Sequence, residues 1–263
     1  MKIVRYHHNK PDTNGRIESA TNGLVRAFYR LLTKISLCTI YLFDDAYVVL
    51  SKEFCGSFSR FTGIRSASKL VAINNPQTLT PTEGEKENVI LYCGRLDEHQ
   101  KRVTRVFEIW RMVCGRLPDW RLEIVGDGPD RAQYEKLAAE LPRTEFTGVK
   151  DPAENYAHSK VLLMTSDYEG WPRVLVEAMS SRCVPVVLGS FESVSEIVTD
   201  GQDGYVLPIP YNPSSFADRL EALAKDAGRL EAMASAAEMS SRRFSVKATA
   251  DRWEELFERL VAK

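Results

Sequence analysis

Apolar and polar positions follow one another along the chain in blocks with two distinct periods. A short apolar run at Ile3–Tyr6 predicts a strand, and the polar stretch after it a loop closed by Pro11 and Asp12. From Asn22 to Leu37 the apolar residues Leu24, Val25, Phe28, Leu31, Leu32 and Ile35 recur at helical spacing. Ala46–Ser51 then predicts a buried strand, Glu53–Phe61 a helix, and Lys69–Pro76 a strand running into a turn. The segment Thr80–Asn88 is polar, contains Pro81 and Gly84, and is the best linker candidate. After it strands and helices alternate: strand Val89–Cys93, helix Arg102–Arg116, strand Arg121–Val125, helix Asp130–Leu141, strand Glu145–Thr147 and a short helix at Glu154–His158. Strand Val161–Met164, a helix opening at Pro172, strand Val184–Leu188 and a short helix at Val194–Val198 continue the series. Such alternation predicts an α/β protein with a doubly wound parallel sheet, whose ligands bind at the carboxyl ends of the strands. Three helical patterns close the chain, at Ser214–Lys225, Gly228–Met239 and Val246–Val261, and no internal repeat or low-complexity tract is present.

Composition narrows the function classes. The 263 residues are 44% hydrophobic and 27% charged, ordinary for a soluble globular protein of one large or two modest domains. With 35 basic and 36 acidic residues the chain has no global field for nucleic acid or an acidic membrane. Five cysteines, odd in number and without a C-x-x-C pair, suggest neither a disulfide framework nor a zinc site, and fit a reducing cytoplasm. The longest apolar run, Leu31–Phe43, contains Lys34 and is shorter than the ~20 residues that span a bilayer, and no secretory signal is visible at the start.

The candidate chemistry lies in Ser166–Ala178. A strand ends there in a loop that feeds a helix N-terminus, where free N–H groups and a partial positive charge favour a phosphate. Glu177 is flanked by Val174, Leu175, Val176, Ala178 and Met179, so it is at least half buried and needs a donor. Ligand hydroxyls or a structural Arg or Lys would both serve, and Glu169 is either near the same ligand or on a solvated loop. Gly94, Arg95 and Lys101 follow another buried strand, where an Arg fork and a Lys point charge can grip a diphosphate. "IVGDGP" (Ile124–Pro129) lacks the third glycine of a dinucleotide fingerprint, which argues against an NAD or FAD site; its glycines suit a turn of close backbone approach. There is no D-x-D, so no metal-dependent nucleotide-sugar site is supported, and no Walker-type loop.

Glu169-x7-Glu177, set in "SDYEGWPRVLVEAMSSRCVPVV", resembles the E-x7-E signature of the retaining glycosyltransferases of family 4, the glycosyl transferases group 1, which have two facing Rossmann-like domains (GT-B). The resemblance is strong over about Val89–Leu207 and pattern-level from Asp44 to Pro76 and after Pro208. It implies a nucleotide diphosphate sugar as donor, with no cofactor and no metal. Glu169 would lie against the donor sugar, the turn Gly170, Trp171, Pro172 and Arg173 would face sugar and phosphate, and Glu177 would accept from the ribose hydroxyls. Gly94, Arg95 and Lys101 resemble the element that holds the donor diphosphate, so Glu169, Arg95 and Lys101 are the residues expected to act on the reacting groups. Val149 and Lys150 fall where the family's backbone reads the base. His8 loosely resembles a histidine near the transferred sugar, against a surface or structural reading of the same residue.

The implied architecture is a GT-B-like α/β chain: a partial N-terminal, acceptor-side Rossmann-like domain over residues 1–79, a linker over 80–88, a donor domain over 89–241, and a C-terminal helix over 242–263 that crosses back to the N-terminal part. Arg182 stands where the family often has Gly, and the loop at Gly189–Val198 lacks the usual Gly-Gly before Glu196. The N-terminal part is about half the family's length, which implies truncation, an upstream start, or a partner chain supplying the missing strands. The expected activity is sugar transfer to an acceptor hydroxyl, of a glycan or lipid-linked glycan, with retention of configuration in polysaccharide or glycoconjugate synthesis. The alternative is a donor-domain remnant that binds without turnover. Nucleic acid is not an expected partner; contact with the inner face of the membrane is left open, and the sugar, base and acceptor are not named by the sequence.

Overall fold

The computed structural model describes residues 2–8, 10, 15–65, 68–82, 84–148 and 151–262. The chain divides into two compact units, one of residues 1–76 with 246–263 and the other of residues 77–245.

The first unit contains a three-stranded parallel sheet: β1 (Val4–His7), β2 (Ala46–Val49) and β3 (Leu70–Ala72), in the order β1-β2-β3. Register pairs Val4 with Ala46 and Tyr47 with Leu70. The four residues of β2 are all buried, as a central parallel strand covered on both faces requires. A single turn, α1 (Gly15–Glu18), precedes α2 (Gly23–Phe43); α3 (Lys52–Thr62) starts at Ser51, whose hydroxyl accepts from the Phe54 N–H at 3.1 Å, and stops at Gly63 with φ +83°. The rings of Tyr41 and Tyr47 lie tilted against Phe58, with centroids 5.4 and 5.0 Å from it. The C-terminal helix, Val246–Val261, packs Leu256 and Leu260 against Ala46, Val48 and Ile73, and its Arg252 binds Asn74 Oδ1 and the Ala72 carbonyl.

Helix α2 runs six residues beyond the expected Leu37, because Cys38, Ile40, Tyr41, Leu42 and Phe43 extend the apolar pattern and Asp44 is the residue that turns the backbone out of the helix. Its only buried residues are Leu37 and Tyr41. Leu24, Phe28, Leu31 and Ile35, whose spacing marks a core-facing stripe, are 52–83% exposed.

The second unit is built on a six-stranded parallel sheet of β4 (Glu87–Cys93), β5 (Arg121–Val125), β6 (Thr144–Gly148), β7 (Ser159–Met164), β8 (Val184–Leu188) and β9 (Tyr205–Leu207), in the order β6-β5-β4-β7-β8-β9. The helices are α4 (Val103–Val113), α5 (Arg131–Ala139), α6 (Ala153–His158), α7 (Arg173–Ser180), α8 (Val194–Ile197), α9 (Pro213–Lys225) and α10 (Ala227–Ser241). The chain winds outward from β4 to β6, then returns to β7 beside β4, with Leu91 opposite Leu162, and winds the other way. The β4/β7 seam is therefore the topological switch point, where loops leaving adjacent strands diverge and open a crevice.

Helix α7 begins at Arg173, not Pro172: Pro172 is the N-cap, with ψ 98° in the extended region, so it sets the entry angle of the helix rather than its first turn. Strand β9 carries no sequence expectation; it is three residues long, paired with β8 through Val186–Tyr205 to Leu188–Leu207. The polar stretch Thr80–Asn88 lies within this unit. Glu87 and Asn88 open β4, and the Lys86 ammonium donates to the carbonyls of Tyr156, Ser159 and Ser181 at 2.6–2.8 Å.

Candidate functional site

The loop after β4 is zipped to the loop after β5. Gly94 N–H donates to the Val125 carbonyl at 3.0 Å, Leu96 N–H to Asp127 at 2.9 Å, and Asp130 N–H to Leu96 at 3.2 Å. A Cβ on Gly126 would lie 1.9 Å from the Gly94 carbonyl oxygen, and one on Gly128 2.2 Å from that of Leu96. The glycines of "GDGP" are thus required by close backbone approach, the structural reading of that motif.

Three of the expected residues come together around the crevice. Lys101 Nζ sits 2.6 Å from Glu169 Oε1, both side chains largely buried (17% and 9% exposed), so the β4 and β7 loops meet through an ion pair. Gln100 Nε2 adds bonds to the Tyr168 carbonyl (3.0 Å) and Glu169 Oε2 (3.4 Å). Glu177, 7% exposed on α7, has Oε1 3.0 Å from Arg173 and Oε2 3.3 Å from the Tyr156 hydroxyl. The Tyr156 hydroxyl is also 3.3 Å from Cys93 Sγ, the last residue of β4. Gly94, next in the chain, lies close to Lys101: a Cβ on Gly94 would be 4.0 Å from Lys101 Cε.

Arg95 stands apart. Its guanidinium is 58% exposed and pairs with Asp97 at 2.5 Å, while its carbonyl accepts from the Tyr92 hydroxyl. Arg173 is exposed and bonds Thr78 Oγ1 as well as Glu177, the structural pairing weighed for that carboxylate. The Gly170 carbonyl accepts from the Ser193 hydroxyl at 2.8 Å. Trp171 is buried edge-on against Phe244, with centroids 5.3 Å apart. His8 belongs to the first unit, exposed and edge-on to Tyr6 at 4.4 Å. Val149 and Lys150 lie outside the described residues.

Sequence reasoning missed two residues that shape this site. Asp167 receives Arg102 at 2.5 Å and Arg105 at 2.6 Å, and its N–H donates to the Gln100 carbonyl, so the β7 loop is strapped to residues 100–105. Burial alone would raise the Asp167 pKa, but the hydrogen bonds and charges of the two arginines outweigh it and hold the carboxyl below its usual 3.8. An acid two residues before Glu169 was the available signal. Tyr156 is the second: fully buried, its pKa driven far up by burial first and then by Cys93 and Glu177. Burial likewise pushes the Cys93 thiol up to about 11. Among the described residues no group of His, Cys, Asp and Glu could hold a metal ion, and no helix is long and apolar enough to cross a membrane.

Comparison with known proteins assigns this geometry a family. The model of the family described as glycosyl transferases group 1 matches residues 80–239. An exopolysaccharide phosphotransferase of Streptomyces coelicolor is 28% identical over 226 residues, covering 83% of this chain and 24% of that protein. The amylovoran biosynthesis glycosyltransferase AmsD of Erwinia amylovora is 34% identical over 131 residues, 48% of this chain and 36% of that one. Among solved structures, Anabaena HepE in complex with UDP-glucose superimposes with a TM-score of 0.78 at 18% identity, over 100% of this chain and 72% of that one. A TarM variant of S. aureus with UDP gives 0.79 at 17%, over 97% and 50%. These likenesses establish the GT-B-like α/β fold. The chain spans between about a quarter and a half of the length of the first three relatives it matches.

Proposed function

Because the chain belongs to the glycosyl transferases group 1 family, we propose that it transfers a sugar from a nucleotide diphosphate sugar to an acceptor hydroxyl in polysaccharide or glycoconjugate synthesis, with the retention of configuration and E-x7-E chemistry of family 4. The observation that supports this best is the convergence at the β4/β7 switch point: the Gly94–Lys101 and Glu169–Glu177 segments leave adjacent strands and are joined by the Lys101–Glu169 pair.

In this reading Glu177 accepts from the ribose hydroxyls, Arg95 and Lys101 stabilise the diphosphate as it departs, and Glu169 faces the donor sugar. Arg95, exposed and paired with Asp97 beside it, can swing onto a phosphate. The acceptor oxygen bonds to the anomeric carbon on the face from which the diphosphate leaves, and its proton passes to a diphosphate oxygen. No side-chain base is then needed, and the rate comes from charge stabilisation as the C–O bond breaks. A cytoplasmic setting fits the free cysteines.

The test is a melting-temperature panel of UDP-, GDP- and ADP-sugars on the purified protein. A ligand at 100 times its dissociation constant adds about 2.7 kcal/mol of stability. One base should raise the melting point, and Arg95→Ala and Glu177→Ala should abolish the rise. No shift with any nucleotide would refute the proposal, and binding without transfer or donor hydrolysis would favour the non-catalytic remnant.

A further inference from the structure

From the contacts of α6 with β4 and α7, we infer that Tyr156 is a positioning residue of the nucleotide site, orienting the Glu177 carboxylate for the ribose. The inference rests on the proposed function, in which Glu177 receives the ribose hydroxyls. It starts from proton bookkeeping. The Tyr156 hydroxyl has a single hydrogen and stands 3.3 Å from both Glu177 Oε2 and Cys93 Sγ. The phenol is the donor in both contacts, and of its two acceptors the Glu177 carboxylate is stronger than the sulfur. Burial, which raises the thiol's pKa, keeps Cys93 protonated, so no thiolate draws the phenol proton away from Glu177. The result is a phenol held between the end of β4 and the Glu177 carboxylate.

The phenol links the two ends of the crevice. Cys93 closes β4 immediately before Gly94 and Arg95, the phosphate end, while Glu177 belongs to the ribose end on α7. Tyr156 is wholly buried, so its ring is packed on every side, and its backbone is held through the carbonyl that accepts from Lys86 at 2.8 Å. The phenol fixes one carboxylate oxygen from inside the protein. The other faces Arg173, half-exposed at the start of α7, and is the oxygen that incoming hydroxyls reach. Without the phenol, Glu177 can follow Arg173 outward, and the hydroxyl acceptors lose their place while the phosphate contacts do not.

The experiment separates those two ends. Binding is measured calorimetrically for whichever of UDP, GDP and ADP stabilises the wild-type chain, and for its 2′,3′-dideoxy form. Loss of a hydrogen bond to a charged acceptor should make Tyr156→Phe bind the ribonucleotide about 5- to 10-fold more weakly, while the dideoxy ligand stays within about twofold of wild type. Equal weakening for both ligands would mark Tyr156 as merely structural, and unchanged affinity for both would also overturn the inference. A wild-type chain that binds no nucleotide sinks the functional reading itself, before any variant is made. If Tyr156→Phe does not fold, Cys93→Ala decides: with the sulfur gone the phenol proton goes wholly to Glu177, so the ribonucleotide and the dideoxy ligand should both bind within about twofold of wild type, and a selective loss of the ribonucleotide would refute the phenol as the donor that holds Glu177.

Discussion

Gly126→Ala is the substitution whose effect the structure defines most closely. The new Cβ would lie 1.9 Å from the Gly94 carbonyl oxygen, whereas ordinary contact begins at 3.4 Å, so the two loops must part by about 1.5 Å. That displacement breaks the bonds from Gly94 N–H to Val125 (3.0 Å) and from Gly126 N–H to Gly148 (3.1 Å). Each group left unpaired costs about 1–3 kcal/mol. Gly126 also has φ +138°, which an alanine resists by about 1–3 kcal/mol more. Counting the two N–H groups and the backbone, the total is about 3–9 kcal/mol, or a fall of roughly 6–36 °C in melting temperature for a domain of this size. The control is Gly115→Ala, at an exposed turn where a Cβ meets nothing within 4 Å. Thermal unfolding followed by circular dichroism compares the two. If Gly126→Ala melts within about a degree of Gly115→Ala, the close approach of the β4 and β5 loops is wrong. If the approach is right, the loss extends to function, because the displaced loop carries Arg95 and Lys101.

Three further outcomes are expected. Lys101→Met and Glu169→Gln should each cost about 3–5 kcal/mol by leaving one buried charge alone, and the double variant should recover most of that; additive losses in urea unfolding would show that the pair is not coupled. Asp167, with a lowered pKa, contributes stability that is complete above its unfolded value of 3.8 and lost as pH falls through the folded one; Asp167→Asn should therefore melt below wild type at pH 7 by a gap that narrows as the pH is taken below 3.8, and a gap that does not narrow would contradict the ion pairs. Ser51→Ala should cost about 1 kcal/mol through loss of the α3 cap, and an unchanged urea midpoint would remove that bond from the account.

The parallel sheet of the second unit was legible because its strands are buried on both faces and read as continuous apolar runs, such as Val161–Met164. The helix behind Glu177 was legible for the same reason, its buried face fixing which way the carboxylate points. What escaped were contacts between residues far apart in the chain. Tyr156 looks like any core aromatic until α6 brings it under Glu177, 21 residues on. Lys101 and Glu169 were each assigned to a ligand, and their mutual pairing across 68 residues depends on a β4/β7 adjacency that local pattern does not encode. In α2 the periodicity gave the helix correctly, yet a stripe of that kind does not say whether its own chain covers it, and most of this one is uncovered. Arg182 departs from the family's usual Gly at a position with φ +60°, which explains the preference for Gly; here the side chain is held by Glu231 and Glu238.

Lys86 gives the stretch between Thr80 and Asn88 a character opposite to its composition. One ammonium gathers the end of α6, the first residue of β7 and the residue after α7, acting as a rivet where the sequence suggests a tether. In the native protein this amine should resist acylating reagents that label exposed lysines. Once acylated in the unfolded chain it would no longer fasten those three segments, and the sheet floor beneath Tyr156 and Glu177 would lose its common anchor.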